Sequence, residues 1–425
     1  MHNHDRKGIS LGTILTLTVT ACVLLGMGVL LKQLGGDAVF QLPVGELMES
    51  VALSAEEHTL EQNIPIQDRQ EPETRTEPVP TRPMGGLVKM SFGGSVILET
   101  AVRQSGYDKS TKTYDFSDIL SALHEEMTGD FAVLTLENLV VPSQKVSDLI
   151  APDEVMNMLV SCGTDMVSFG FPKAYDQSEN GLDTTLLSAQ GTGLETVGAY
   201  RNEGDAAISA RVHEVGPVRV AFLYYTQSLS DTGRKTMRND GRAFAVPLLE
   251  QAEQDIRVVR SMGAQLVVVG VHWGSTGATA PTKAQKTLAQ ELADAGADLI
   301  VGTGSRRVQT IEWLESHHED GSTSSALCAY SLGCLLSASS KTGALESIIL
   351  HVTADVDADG KVTLKDVRYT PTFQWKYKAG GLNRYRVLPA DQEPPQDMTR
   401  DETQKMQKAL ERIQTLLDQT PATIR

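Results

Sequence analysis

The residues able to do chemistry stand at the ends of apolar runs. His272 closes Leu266-Val267-Val268-Val269-Gly270-Val271 and is followed by Trp273-Gly274. Arg306 and Arg307 follow a second run, Asp298-Leu299-Ile300-Val301-Gly302, across Thr303-Gly304-Ser305. Glu137 follows Phe131-Ala132-Val133-Leu134-Thr135-Leu136, and Lys173 and Asp176 come soon after Asp165-Met166-Val167-Ser168-Phe169-Gly170. An imidazole with two carboxylates is a donor set for a divalent ion. A guanidinium and an ammonium make instead a fork and a point charge for carboxylate or phosphate. Each residue also has a plainer role: His272 as a core histidine bonded to backbone, Glu137 as a cap, Arg306 and Arg307 as a solvated turn. Gly302-Thr303-Gly304-Ser305 is only a lone Gly-x-Gly, which does not specify a phosphate cradle. His317-His318 lies in the polar, hairpin-like stretch Glu315–Ser325 and reads as surface. No Gly-x-Ser-x-Gly elbow occurs, and Ser331 has no His–Asp order to serve it.

Elements that hold these positions follow from the apolar pattern. Two continuous Val/Ile/Leu strands separated by a helix over Thr282–Ala295 require a parallel sheet covered on both faces. In such sheets ligands collect beyond the carboxyl ends of the strands, where His272 and the 303–307 loop lie. Further strands are expected at Leu87–Phe92 (ending in a tight turn Gly93-Gly94-Ser95), Phe131–Leu136, Asp165–Gly170, Glu195–Gly198 and Arg219–Tyr225. Helices are expected over Phe116–Met127, Pro152–Cys162, Gly181–Gln190 and Pro247–Met262. Ser347–Val352 and Lys361–Tyr369 suit a closing antiparallel edge. A terminal helix over Thr399–Leu417 carries the stripe Met406, Leu410, Ile413 and Leu417, a docking surface. The alternation predicts an α/β layered fold.

Whole-chain properties bound the partners. The 425 residues carry a formal net charge of -16, which excludes nucleic acid because no basic stripe exists to neutralise phosphates. Of the four cysteines, Cys162, Cys328 and Cys334 show no paired metal spacing and read as buried thiols, with a Cys328–Cys334 disulfide as the alternative. Residues 9–31 are uncharged and apolar, close to the ~20 residues a spanning helix needs. Arg6 and Lys7 before them, and Asp37 and Glu46 after, orient residues 1–8 to the cytoplasm and the remainder outside. Val19-Thr20-Ala21-Cys22 loosely resembles a lipoprotein box but sits in mid-run, so an uncleaved signal anchor is expected. Residues 32–86 read as a charged, proline-bearing extracytoplasmic stalk, with a short amphipathic helix near Val44–Leu53. A domain over 87–375 and a tail over 376–425 follow.

Three stretches, Gly270-Val271-His272-Trp273-Gly274, Ala295-Gly296-Ala297-Asp298-Leu299-Ile300-Val301-Gly302 and Tyr330-Ser331-Leu332-Gly333, occur in a telling order. Together with Tyr114-Asp115-Phe116, Leu136-Glu137 and Gly181-Leu182, that order resembles the bacterial capsule-synthesis CapA family, also called poly-γ-glutamate synthesis proteins, over roughly Leu87 to Leu336. The resemblance implies a calcineurin-like metallophosphoesterase fold, with mixed sheets flanked by helices and a two-metal site. This chain departs from the family's ligand pattern. Gly93-Gly94 stands for its Gly-Asp, Thr135-Leu136-Glu137 for Asn-Leu-Glu, and Phe171-Pro172-Lys173-Ala174 for Asn-Asn-His-Ala. Gly302-Thr303-Gly304-Ser305-Arg306 replaces its Gly-His-His-Pro-His, and Cys334 replaces the Asn after Tyr-Ser-Leu-Gly.

The resemblance implies a role in making, exporting or anchoring an anionic surface polymer such as poly-γ-glutamate or capsule, beside synthase subunits. The departures imply a pseudoenzyme without cofactor, its cleft binding polymer carboxylates through Lys173, Arg306 and His272, with Glu137 and Asp176 alongside. Two alternatives stand. One is a hydrolase or transferase using a single divalent ion on Glu137, Asp176 and His272. The other is an extracytoplasmic scaffold whose cleft does nothing.

Overall fold

Fully apolar strands must be covered on both faces, and here one face is covered by a second sheet and the other by helices. The structure, a computed structural model, describes residues 86–425 apart from 143–144, 319–320 and 358–359. The expected cytoplasmic segment, the anchor and stalk as far as residue 85 lie outside the described residues. Among the described residues no helix is long and apolar enough to cross a membrane.

The nine-stranded sheet runs Leu382–Pro389, Val362–Ala379, Glu346–Val356, Gly86–Val96, Phe131–Leu136, Met166–Ser168 and Glu195–Val197. Cys334–Leu336 pairs with Gly86–Val96, and Thr423–Ile424 with Val362–Ala379. A six-stranded sheet runs Ile311–His317, Thr323–Ala329, Leu299–Thr303, Leu266–His272, Val218–Thr226 and Val212–Val215. Leu266–His272 is parallel to both neighbours, pairing His272 with Thr226 on one side and Thr303 on the other. That register brings three strand ends level.

Alternation along the strands sorts the side chains. Val88, Met90, Phe92, Val220, Phe222, Val268 and Leu299 meet between the sheets, where the Phe131 and Phe222 rings stack at 4.8 Å. Val267, Val269, Val271 and Ile300 face the helices Ala252–Ser261 and Lys283–Asp294. Leu134 and Leu136 face Glu154–Ser161 and Ser178–Gly191. Each such side chain contributes about 2 kcal/mol on leaving water, so the sandwich holds the strand ends rigidly. Thr282 and Gln285 close a capping box at the start of Lys283–Asp294.

Several expectations need correction. Gly93-Gly94-Ser95 is not a turn, because the strand continues to Val96. A Cβ on Gly93 would lie 2.2 Å from Leu134 Cδ2, and one on Gly94 2.5 Å from the Gly333 carbonyl oxygen. The two glycines therefore serve close packing. Phe116–Met127 is not an α-helix: a turn over 117–119, opened by the Asp115 side chain accepting the Ser117 N–H, leads into a 3-10 helix over Ser121–Glu126. The last hairpin is longer than expected, and the 375/376 boundary falls inside the Val362–Ala379 strand. Gly380 and Gly381, with φ of 58° and 78°, form its two-residue turn. The helix over Arg400–Leu417 docks by Met406, Ala409, Ile413 and Leu417, with Leu410 of the expected stripe only partly buried. Cys162, Cys328 and Cys334 are buried free thiols.

Gly302 lies where the packing is tightest. A Cβ there would sit 1.9 Å from the Tyr330 carbonyl oxygen, the atom that accepts the Trp273 indole N–H at 2.9 Å. Gly302→Ala should lower stability by about 3 kcal/mol, whereas Gly191→Ala, at a helical position with open space around it, should change it by less than about 1 kcal/mol. Urea midpoints of the two variants check this. Equal effects would contradict the packing described.

Candidate functional site

Three strand ends and one irregular turn build the site. His272 is the last residue of its strand, and its carbonyl accepts the Gln227 N–H at 2.9 Å. Trp273 then turns inward and is buried, its N–H donating to the Thr303 carbonyl at 3.2 Å. Gly304, with φ of 101°, lies against the imidazole, where a Cβ would meet His272 Cε1 at 3.0 Å. Arg306 is one of few non-glycine residues in the left-handed region, with φ of 58°. Such a conformation costs about 1 kcal/mol. The Ser305 hydroxyl holds it by donating to the Arg307 carbonyl at 2.7 Å and accepting the Arg307 N–H at 3.1 Å. The Ser305 hydroxyl and the Gly302, Thr303 and Ser305 carbonyls are thus spent within the fold.

The resulting cleft, about 670 Å³, is lined by Glu99, Glu137, Asp148, Lys173, His272 and Arg306 among others. The Glu137 side chain is only 8% exposed, with Oε1 3.5 Å from His272 Nε2 and Oε2 3.6 Å from Arg306 Nη2. Arg306 Nη1 is 3.6 Å from Glu99 Oε1, so one guanidinium faces two carboxylates. These spacings are longer than formed hydrogen bonds, and those to Arg306 are charge pairings. Accordingly, Glu137 Oε1 and the buried Ser95 hydroxyl have no hydrogen-bond partner. Burial, the largest influence, would raise the Glu137 carboxyl, but His272, Ser95 and Arg306 together outweigh it and hold it below the usual carboxylate range. Asp148 accepts the Thr100 N–H at 2.7 Å and the Thr100 hydroxyl at 2.5 Å. Thr100 first, then Arg103 and Lys173, hold its carboxyl below the usual range as well.

Four of the five residues singled out from the sequence, Glu137, Lys173, His272 and Arg306, line this one cleft. Asp176 does not: the Ser230 hydroxyl donates to its carboxylate, and Ser230 caps the helix Asp231–Asn239 by accepting the Gly233 N–H. Its role is to fix that helix. Glu99, Asp148 and Ser95 were not singled out for this cleft, and Cys334 was marked only as replacing the family's Asn. Ser95 reaches Glu137 because the first strand runs past its glycines, a register difference that exchanges faces. Cys334 is buried near Glu137, and burial pushes its thiol up to about 12, so it is a neutral neighbour.

The two-metal centre implied by the resemblance can be tested against these donors. Among the described residues no group of three or more His, Cys, Asp or Glu side chains is placed to hold a metal ion. Glu137 and His272 already face each other, Ser95 offers a neutral hydroxyl, and the Arg306 cation stands beside the carboxylate. This set does not fit a pair of divalent ions, which needs several converging anionic and imidazole donors.

The bacterial capsule synthesis protein PGA_cap family matches residues 89–339, more than half of the chain. Similar curated proteins include the PGA biosynthesis protein CapA of Bacillus subtilis (strain 168), 24% identical over 238 residues covering 53% of this chain and 59% of that protein. The capsule biosynthesis protein CapA of Bacillus anthracis is 28% identical over 166 residues, 39% of this chain and 40% of that protein. The chain thus spans about half the length of these relatives. Among solved structures, the NAD nucleotidase NadN of Haemophilus influenzae shares 11% identity at a TM-score of 0.38, covering 80% of this chain and 57% of that one. A putative 5'-nucleotidase from Staphylococcus aureus shares 11% at 0.37, over 76% and 58%. Both likenesses are too loose to bear on function. With the match spanning the strands that carry Glu137, His272 and Arg306, the chain belongs to the bacterial capsule synthesis PGA_cap family, the CapA family.

Proposed function

We propose that this protein is a membrane-anchored, non-catalytic family member that holds an anionic surface polymer of the poly-γ-glutamate kind during its synthesis, export or anchoring. The relatives named for PGA and capsule biosynthesis support the polymer. The uncharged, apolar run of residues 9–31 supports a membrane-anchored, extracytoplasmic position. One observation carries the non-catalytic part: the Arg306 guanidinium stands between Glu137 and Glu99, in a cleft where a catalytic pair of cations would have to sit. A fixed cation of this kind attracts carboxylate and repels metal. Lys173, exposed on the rim, supplies a second charge.

A single-ion hydrolase or transferase is the second reading. It is favoured by the unpartnered Glu137 Oε1 facing His272 Nε2 across 3.5 Å. With Asp176 turned to Ser230, two protein donors would remain for that ion.

Two outcomes are expected. In titrations of poly-γ-glutamate into the full-length chain, Lys173→Ala with Arg306→Ala should weaken binding about tenfold or more, and raising the salt should weaken the unaltered protein. Unchanged affinity would remove polymer binding from this cleft. The second concerns pH. Because the Glu137 carboxyl is held below its ordinary value of 4.5, its contribution to stability is complete above that pH and is lost as pH falls below it. Glu137→Gln should therefore flatten the acid limb of stability against pH, measured by urea midpoints, and chelator should not alter the unmodified curve. A limb that shifts with chelator would indicate that metal, not Arg306 and His272, compensates the carboxylate.

A further inference from the structure

A second polar cavity opens where the last hairpin meets the loop that follows the helix Thr100–Ser105. It encloses about 640 Å³ and shares no lining residue with the cleft. That volume lies within the roughly 300–1,000 Å³ of small-ligand sites. One wall is the loop 106–119, and the other is the pair of strands Val362–Ala379 and Leu382–Pro389. The walls are tied together: the Arg384 guanidinium donates to the Ser105 carbonyl, and the Val387 N–H donates to the Ile119 carbonyl at 2.8 Å. Gly106 lets the loop close, since a Cβ there would lie 2.4 Å from the Asp115 carbonyl oxygen. The cavity is therefore built into the fold.

Its lining combines aromatic rings with charges of both signs. Tyr107 and Tyr377 line it, and each packs on another aromatic: Tyr107 on Tyr114 with centroids 5.0 Å apart, and Tyr377 on Trp375 at 4.2 Å. Asp108, Asp115 and Asp118 supply carboxylates, while Lys109 and Arg384 supply cations. Asp118 also pairs with Arg386 at 3.3 Å. The signs nearly balance, so the cavity has no strong field to select an anion or a cation. Two of the carboxylates are fixed acceptors. Asp108 accepts the Ser110 N–H at 2.7 Å and its hydroxyl at 2.6 Å, and Asp115 accepts the Ser117 N–H at 2.9 Å. These bonds hold both carboxyls below the usual carboxylate range.

Tyr385 is an independent pointer to a ligand. It lines the cavity and is only 2% exposed, yet its hydroxyl has no hydrogen-bond partner. Such a group is costly to bury unless something pairs with it. A ligand that matches this lining is uncharged, donates and accepts in turn, and presents an apolar face to the tyrosines. A sugar ring has all three properties. Each hydroxyl can donate to a carboxylate and accept from a guanidinium or ammonium, and the ring's C–H face suits the negative face of an aromatic ring. A nucleobase has the flat face but few donors for three carboxylates. An amine meets repulsion from Lys109 and Arg384.

We propose that this cavity binds an uncharged oligosaccharide, its ring faces against Tyr107 and Tyr377 and its hydroxyls shared among Asp115, Asp118, Arg384 and Tyr385. The site is separate from the cleft and does not depend on what the cleft holds.

Calorimetric titrations of the full-length chain with neutral tetrasaccharides of glucose, mannose, galactose and N-acetylglucosamine test this, beside an acidic galacturonate tetramer, spermidine and adenosine. At least one neutral tetrasaccharide should bind about tenfold or more tightly than the other three probes. Tyr107→Ala should weaken that binding about tenfold, and Asp118→Asn, at an exposed carboxylate, about threefold with the urea midpoint unmoved. Tyr385→Phe should weaken it several-fold without lowering the midpoint, because the hydroxyl it removes has no partner within the fold. A merely structural tyrosine would lower the midpoint and leave the affinity alone. Lys173→Ala with Arg306→Ala should leave saccharide binding unchanged. No binding of any neutral tetrasaccharide, equal or tighter binding of the acidic, cationic or flat-ring probe, or loss of binding in the cleft variant would each overturn the proposal.

Discussion

A carboxylate taken out of water must be paired, and in this protein that demand falls on Glu137. Its side chain is nearly buried, and it faces the Arg306 guanidinium and the His272 ring, which come from two other strand ends. Removing one partner from such a group leaves a buried charge, a cost of several kcal/mol. The level register of three parallel strands, the tight Gly302–Gly304 passage and the left-handed Arg306 backbone all serve this convergence. An arginine that compensates a carboxylate also changes what the cleft can hold, since it faces outward to Glu99 and to any anion that enters.

Much of this was legible because parallel, doubly covered strands announce themselves as continuous Val and Ile runs. His272, Arg306 and Glu137 were placed from strand ends and Lys173 from the family resemblance, and all four share a cleft. What was not legible had weak local signals. Two consecutive glycines read as a turn, yet here the bare Cα atoms admit Leu134 and the Gly333 carbonyl, so the strand continues and Ser95 arrives beside Glu137. The helix Asp231–Asn239 is polar throughout, with only Gly233 and Met237 buried, and left no apolar stripe to detect. Glu99 and Asp148 sit in loops joined through Thr100, a contact distant in sequence that no periodicity encodes. Asp176 shows the converse: proximity in sequence to Lys173 did not carry it into the cleft, because Ser230 claims its carboxylate.

Family membership and site chemistry therefore speak to different questions. The match over residues 89–339 establishes the lineage and its association with capsule and PGA biosynthesis. The residues in the cleft decide what this chain does within that setting, because function resides in the site and not in the fold. Here a hydroxyl, a thiol and a guanidinium surround one carboxylate and one imidazole.

Metal content tests that claim most directly. The purified full-length chain and its His272→Ala variant would be equilibrated with zinc, manganese or iron salts, freed of loose ions and analysed for bound metal by mass spectrometry. The account predicts no stoichiometric metal in either protein. About two equivalents in the unaltered chain, lost in the variant, would restore a two-metal centre and contradict a cleft organised by Arg306.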